Sequence, residues 1–175
     1  MSIVTQLEES LVKLYQKLPH LPSNIRTWIG TNIWWITLIG VVLGALGVVS
    51  SLFALLFAAG WVAPYVHMYG QYGVGALAGA AIAWGVVWAL VGATVVVVSA
   101  MAIQPLRDKL KKGWNLLFVV LLIQGASIVL EFLFNLGFWS FVGLFWSALW
   151  LAAAGYVLFE LRSQFAEKKS KNAKR

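Results

Sequence analysis

The stretch that decides the fold runs from Thr27 to Leu106 and reads TWIGTNIWWITLIGVVLGALGVVSSLFALLFAAGWVAPYVHMYGQYGVGALAGAAIAWGVVWALVGATVVVVSAMAIQPL. It contains no Asp, Glu, Lys or Arg, although the chain carries 13 basic and 6 acidic residues. A water-soluble fold cannot bury so long an uncharged run. A membrane-spanning helix, in contrast, needs about 20 apolar residues to cross a hydrocarbon core about 30 Å thick. The sequence therefore predicts an all-α, polytopic membrane protein.

Composition limits the chain to one membrane domain. At 175 residues, with 61% hydrophobic residues and a mean hydropathy of +0.84, it has room for four spans and little else. It contains no cysteine, which excludes thiolate nucleophiles and thiolate metal sites. The formal net charge of +7 arises from cations that lie beside the apolar runs. That distribution is typical of membrane topology rather than of nucleic-acid binding.

Four segments have the length and hydropathy of membrane spans. They are residues 33–59, 74–103, 115–136 and 138–159. Basic residues lie before the first span, between the second and third, and after the fourth, whereas the connections 60–73 and 135–137 have none. The positive-inside rule then predicts a four-helix transmembrane bundle over residues 23–162, with both termini in the cytoplasm.

Residues 1–22 form a separate unit in the sequence. Apolar residues recur there at helical spacing, and Pro19 and Pro22 end the pattern. These apolar residues are Ile3, Leu7, Leu11, Leu14 and Leu18. We expect an amphipathic helix that either lies in the membrane interface or docks on the cytoplasmic face of the bundle.

Glycines form a repeated pattern in the first two spans. Gly40, Gly44 and Gly47 share one face of the first span, and Gly75 and Gly79 share a face of the second. Helices in lipid associate through close packing at small residues, so these positions predict a helix-packing seam. A groove in which a ligand approaches the backbone is the alternative.

The third span carries an ordered polar stripe. Its members are Gln124, Ser127, Glu131 and Asn135, which lie on one helical face. Glu131 is the only Asp, Glu, Lys or Arg between Gly113 and Phe159, and an intramembrane carboxylate is costly unless it is paired. Three interpretations stay open: contact with the outer interface, hydrogen bonding between helices, and a polar path for protons or ions.

The chain contains 10 tryptophans, three of which share a face of the fourth span. Trp139, Trp146 and Trp150 form this face. Indole rings in this arrangement suit a flat apolar ligand such as a quinone or a pigment. The same face also suits contact with lipid or with another subunit.

Basic residues beside the spans predict contacts with anionic lipid headgroups, each favourable by about 1 kcal/mol near the surface. Those in question are Lys109, Lys111, Lys112, Lys168 and Lys169. The last two belong to residues 163–175, which we expect to form a basic cytoplasmic tail.

The sequence contains no motif for catalysis, metal binding or a cofactor. His20 and His67 fall on opposite sides of the predicted membrane, so one chain has no histidine pair for a haem or a metal, which leaves only a site shared between subunits. Acids and bases are too few for standard hydrolytic or redox catalysis. We therefore expect a non-enzyme without a metal or cofactor, and no nucleic-acid partner.

Two segments carry a resemblance to known proteins. The residues from Pro105 to Phe118 (PLRDKLKKGWNLLF) and from Tyr156 to Ser163 (YVLFELRS) resemble those of small, uncharacterised four-span bacterial inner-membrane proteins. This resemblance covers the second half of the chain. It implies a bacterial inner membrane and the same four-span plan, and it brings no activity with it.

The sequence favours a non-enzymatic membrane protein that acts by helix–helix assembly, as an accessory subunit or as a homo-oligomer. A small transporter or channel that uses the polar stripe of the third span is the first alternative. A binder of an apolar ligand is the second.

Overall fold

The structure is a computed structural model that describes residues 6–7, 10–12, 15, 19–69, 74–134 and 138–165. Within these residues it contains four long helices and no strand, which confirms the all-α fold. The helices are α1 (Ser23–Tyr69), α2 (Val74–Arg107), α3 (Lys111–Phe134) and α4 (Phe138–Glu160), and a 3₁₀ turn (Arg162–Gln164) follows α4. All four are long and apolar enough to cross a membrane.

Successive helices pack against each other, α1 on α2, α2 on α3 and α3 on α4. The start of α1 also meets the end of α4, where the Gln164 side-chain amide donates a hydrogen bond to the Arg26 carbonyl oxygen at 2.9 Å. Gly30 makes room for this contact, because a Cβ there would lie 1.9 Å from Gln164 Oε1. We call this end of the bundle, which carries Arg26, Arg107 and Lys111, the basic end.

The hydrophobic core lies at the basic end. It is formed by Ile33, Ala102, Leu106, Trp114, Phe118, Leu158, Phe159, Leu161 and Phe165. Trp114 is fully buried, its indole N–H donates to the Leu158 carbonyl oxygen at 2.7 Å, and its ring stacks on Phe118. Among the described side chains of α1, none beyond Ile33 is buried. The four helices therefore share one buried core at the basic end, and away from it α1 packs on α2 without fully burying its described side chains.

The turn between α2 and α3 is a Schellman motif, in which two backbone hydrogen bonds close the end of a helix. Lys109 N–H donates to Leu106 O at 3.1 Å, and Leu110 N–H donates to Pro105 O at 2.8 Å. Lys109 takes the left-handed conformation that this motif requires, with φ 51°. Gly113 then lies directly against α2, where a Cβ would be 2.7 Å from Leu106 N.

The helices differ in length. At 1.5 Å per residue, α1 is about 70 Å long, α2 about 50 Å, and α3 and α4 about 35 Å each. The rings of Trp84 and Phe134 are 4.8 Å apart, and Leu55 packs on Gly85 at the same level. This level marks the end of α3. The parts of α1 and α2 beyond it, residues 56–69 and 74–84, form what we call the far hairpin, which extends roughly 20 Å past α3.

The far hairpin differs from the sequence prediction, which gives residues 60–73 as a connection. Helix α1 continues through Pro64 to Tyr69. Proline removes one intrahelical hydrogen bond, and the residues that flank Pro64 include no glycine between Trp61 and Tyr69 that would favour ending the helix. The two helices stay in contact near the tip, where a Cβ on Gly75 would lie 3.2 Å from Val66.

The N-terminal amphipathic helix is not confirmed, because much of it lies outside the described residues. Gln6, Leu7, Ser10, Leu11, Val12 and Tyr15 have helical backbone. Of these, Leu11, Val12 and Tyr15 pack against the core at the basic end. The predicted basic tail also lies outside the described residues from 166 onward.

Replacing Gly113 by alanine tests the packing at the α2–α3 turn. We expect Gly113→Ala to destabilise the protein by about 1–3 kcal/mol, because the new methyl group overlaps backbone atoms that cannot move aside. Gly143→Ala is the matched control, since nothing lies within 4 Å of a Cβ there. That change should be neutral or stabilise α4 by up to about 1 kcal/mol through helix propensity. Unfolding in mixed micelles measures both, and equal effects would contradict the interpretation.

Candidate functional site

The α2, α3 and α4 helices line an open groove of about 600 Å³. We call it the tryptophan groove. Its principal lining side chains are Trp88, Gln124, Ser127, Glu131, Trp146 and Trp150. Because α3 packs on both α2 and α4, it forms the floor of the groove, and the other two helices form the walls.

Helical spacing explains why these side chains converge. Gln124, Ser127 and Glu131 follow each other by three and four residues, so α3 presents them on one face. Trp146 and Trp150 are four residues apart on α4 and share its face in the same way. The structure thus brings together a polar stripe and an aromatic face that the sequence predicts separately.

One predicted member of the polar stripe and one of the aromatic face have side chains that the structure does not describe. Asn135 lies outside the described residues, and Trp139 lies in α4 but its side chain is not among those described. Sequence reasoning did not include Trp88 in either set, because it belongs to a different helix. Its ring packs edge-on against Trp84 at 5.8 Å.

The polar groups of the groove are few. Glu131 and Gln124 are exposed within the protein, and Ser127 Oγ donates to the Ile123 carbonyl oxygen at 2.8 Å. Trp146 and Trp150 are also exposed, so the walls of the groove are open toward the surroundings of the bundle. Chemically, the groove combines one carboxylate, one carboxamide and hydroxyl groups with three indole rings.

The glycines predicted to form a seam fall into two groups. Gly44 packs on Val96 and Gly75 on Val66, so these two lie between α1 and α2. Nothing lies within 4 Å of a Cβ on Gly40, Gly47 or Gly79. Two other glycines complete the seam, because Gly85 packs on Leu55 and Gly92 packs on Val48.

A second cluster of polar groups lies at the basic end around Glu160. Only 5% of its side chain is exposed. Its Oε1 atom is 2.6 Å from His20 Nδ1, and its Oε2 atom is 3.7 Å from Arg26 Nη1. Glu160 is not among the site residues that the sequence predicts. The signal for burial is its position one turn after Tyr156, on the face of α4 that also carries core residues.

Aromatic residues tie the chain before α1 to this cluster. The Tyr156 hydroxyl donates to the Pro19 carbonyl oxygen. Tyr15 stacks on Phe159 with ring centroids 4.9 Å apart, and its hydroxyl donates to the Ala152 carbonyl oxygen at 3.3 Å. Burial raises the pKa of the Tyr15 phenol, which keeps it in the neutral form that donates this bond. A polar cavity of about 450 Å³ lies between these groups.

Three of the five lysines predicted to contact lipid lie at the turn between α2 and α3. Lys109 and Lys112 are exposed at this turn, and Lys111 is half-buried beside the polar cavity. Lys168 and Lys169 are outside the described residues. Contact with anionic lipid stays a prediction for all five.

Among the described residues, no three histidine or acidic side chains are close enough together to hold a metal ion. The nearest approach to such a group is the His20–Glu160 pair, which has only one carboxylate and one imidazole. One carboxylate and one imidazole are fewer protein ligands than a zinc or a calcium site uses.

A comparison with known protein families, with curated proteins and with solved structures found no match for this chain. The fold itself defines the class, which is a helical protein with four potential membrane spans. The tryptophan groove, the far hairpin and the Glu160 cluster are the features from which a function is inferred.

Removing the cation beside Glu160 should destabilise the basic end. We expect Arg26→Leu to cost about 1–2 kcal/mol, because it leaves a buried carboxylate with less compensation while Arg26 itself is partly exposed. Adding Glu160→Gln should then restore part of the loss, which a double-mutant cycle in mixed micelles measures. Arg107→Leu is the control, since Arg107 lies over the Trp34 ring, at 5.5 Å, and forms no ion pair with Glu160 in the described part of the chain. Strictly additive effects of Arg26→Leu and Glu160→Gln would rule out the coupling.

Proposed function

We propose that this protein is a non-enzymatic integral membrane protein that acts by helix–helix assembly, as an accessory subunit or as a homo-oligomer. The observation that carries this proposal is the far hairpin. It is an uncharged, apolar pair of helices that extends roughly 20 Å beyond the end of α3.

The far hairpin presents large apolar side chains on its outside. Phe57, Trp61, Met68 and Leu77 are all exposed within the protein. Helices of about 35 Å, the length of α3 and α4, already cross a hydrocarbon core of about 30 Å. Covering a large apolar side chain that lies beyond that thickness is favourable by about 1.5–3 kcal/mol in free energy. A protein partner that covers the hairpin supplies this gain.

A second surface supports assembly at the depth of the membrane. Gly40, Gly47, Ala54 and Ala58 recur on one face of α1, and all four are exposed. This face borders the α1–α2 seam and is not covered by α2, because no atom lies within 4 Å of a Cβ on Gly40 or Gly47. Small residues let a neighbouring helix approach closely in lipid, where the hydrophobic effect does not drive association.

The proposal includes an orientation and a location. The basic end faces the cytoplasm of a bacterial inner membrane, as expected from the positive-inside rule, and Lys109, Lys111 and Lys112 contact anionic headgroups there. The packing of Leu11, Val12 and Tyr15 on the core supports a docked N-terminal segment rather than one spread on the lipid surface.

Native mass spectrometry of the protein, extracted gently from its own membrane, tests this assembly. We expect retained partners or a homo-oligomer for the wild type, and their loss in Phe57→Ala/Trp61→Ala, because these adjoining rings cover the outside of the far hairpin. Trp28→Ala is the matched control, since Trp28 is 62% exposed and Trp61 61% exposed on the same helix. A wild-type protein that is monomeric and alone would overturn the proposal.

A second candidate function rests on the tryptophan groove. Because the groove joins Gln124, Ser127 and Glu131 to Trp146 and Trp150, it supports a small transporter, a channel or a binder of a largely apolar ligand. Transport or channel activity requires Glu131, so its flux should collapse in Glu131→Gln while assembly is retained.

A further inference from the structure

We propose that the tryptophan groove binds a lipophilic organic cation. This inference deepens the second candidate function and is independent of assembly through the far hairpin. It names the class of ligand from the charge, the aromatic lining and the size of the groove.

Charge is the first argument. Glu131 is the only acidic residue among the described residues that line the groove, and none of them is Lys, Arg or His. Glu131 lies about 30 Å along α3 from Lys111, near the outer edge of a hydrocarbon core, where apolar walls solvate a carboxylate less well than bulk water and a cation is attracted to it. Gln124 adds an amide oxygen on the same face of α3, two helical turns or about 10 Å along the axis from Glu131. The groove therefore favours a positively charged occupant over a neutral or anionic one.

The aromatic lining is the second argument. Trp88 stands on one wall, and Trp146 and Trp150 stand on the other. Indole has the most favourable ring for cation–π contact, and aromatic side chains are the usual recognition device for quaternary ammonium groups. Calcium and magnesium find no comparable site, because calcium needs six to eight oxygen ligands and magnesium an octahedral set. The three indole rings instead suit a ligand that carries its charge within an apolar body.

Size and access complete the argument. About 600 Å³ falls within the range of small-molecule sites, roughly 300–1,000 Å³. Trp146 and Trp150 remain exposed on the wall formed by α4, so the groove opens sideways from the bundle. A lipophilic cation partitions into a membrane and reaches such an opening laterally. Entry from water along the helix axis is not required.

The test measures binding of two ions of the same shape and opposite charge. Tetraphenylphosphonium and tetraphenylborate are titrated separately into the purified full-length protein, in the assembled form in which it is extracted. Bound ligand is followed by equilibrium dialysis and by quenching of tryptophan fluorescence. We expect tetraphenylphosphonium to bind at least about tenfold more tightly than tetraphenylborate, since only the cation gains from the carboxylate and the indole faces.

Substitutions in the tryptophan groove test whether the cation binds there. Glu131→Gln should weaken tetraphenylphosphonium binding at least about tenfold and leave tetraphenylborate unchanged, because it removes charge and keeps shape. Trp150→Leu should weaken binding of the cation by about five- to tenfold. Trp35→Leu is the matched control, because Trp35 is an exposed indole on α1 that does not line the groove.

A second measurement on the wild type does not depend on how the variants fold. Hydrophobic carbodiimide labels membrane carboxyl groups, and peptide mass spectrometry locates the label. Tetraphenylphosphonium should slow labelling at Glu131 and leave labelling at Glu160 unchanged. Equal affinity for the two ions, unchanged cation binding in Glu131→Gln, or no protection of Glu131 would each overturn the proposal.

Native mass spectrometry of the same samples separates this inference from the assembly proposal. Loss of cation binding in Glu131→Gln with an intact oligomer or complex supports the groove and leaves assembly untouched. A wild-type protein that does not bind tetraphenylphosphonium overturns the ligand class alone. The second candidate function then survives only if flux of another solute still depends on Glu131.

Discussion

The hydrogen bond from the buried Trp114 indole to the Leu158 carbonyl oxygen is the contact on which the rest of the bundle depends. Lipid removes the hydrophobic drive for helices to associate, so specific packing and hydrogen bonds must supply it. This bond satisfies a carbonyl group near the end of α4, and the same indole stacks on Phe118. Around it the chain concentrates nearly all of its described buried side chains. The bundle shares its core at the basic end, and beyond it α1 and α2 pack along their glycine seam with few fully buried side chains.

Hydropathy predicts the membrane-spanning helices of this fold, because it measures which segments favour lipid over water. An uncharged run from Thr27 to Leu106 leaves only a membrane-spanning fold, and the four helices follow from it. The end of α1 is different, because the sequence through Pro64 is equally compatible with an interfacial turn and with the helix that forms. Hydropathy reports whether a segment tolerates lipid, and it does not report where a helix inside an apolar run stops.

The candidate site was predictable helix by helix and not as a whole. Periodicity places Gln124, Ser127 and Glu131 on one face of α3, and Trp146 and Trp150 on one face of α4. It does not say which faces meet, so the inclusion of Trp88 required the packing of α2 on α3. The burial of Glu160 is not predictable from the sequence for a related reason. Its burial depends on His20 and Arg26, which approach from a part of the chain about 140 residues away.

The position of the core along the chain has a consequence for synthesis. Leu158, Phe159, Leu161 and Phe165 complete the core, yet they leave the ribosome after α1, α2 and α3. The first hairpin is therefore inserted into the membrane before its own buried residues, Ile33 and Leu106, have their partners. The basic end closes only after α4 is in place, so an early hairpin with open faces exists during each round of translation. For that interval, its exposed glycines and aromatic rings are available to whatever insertion machinery or partner subunit stands beside it.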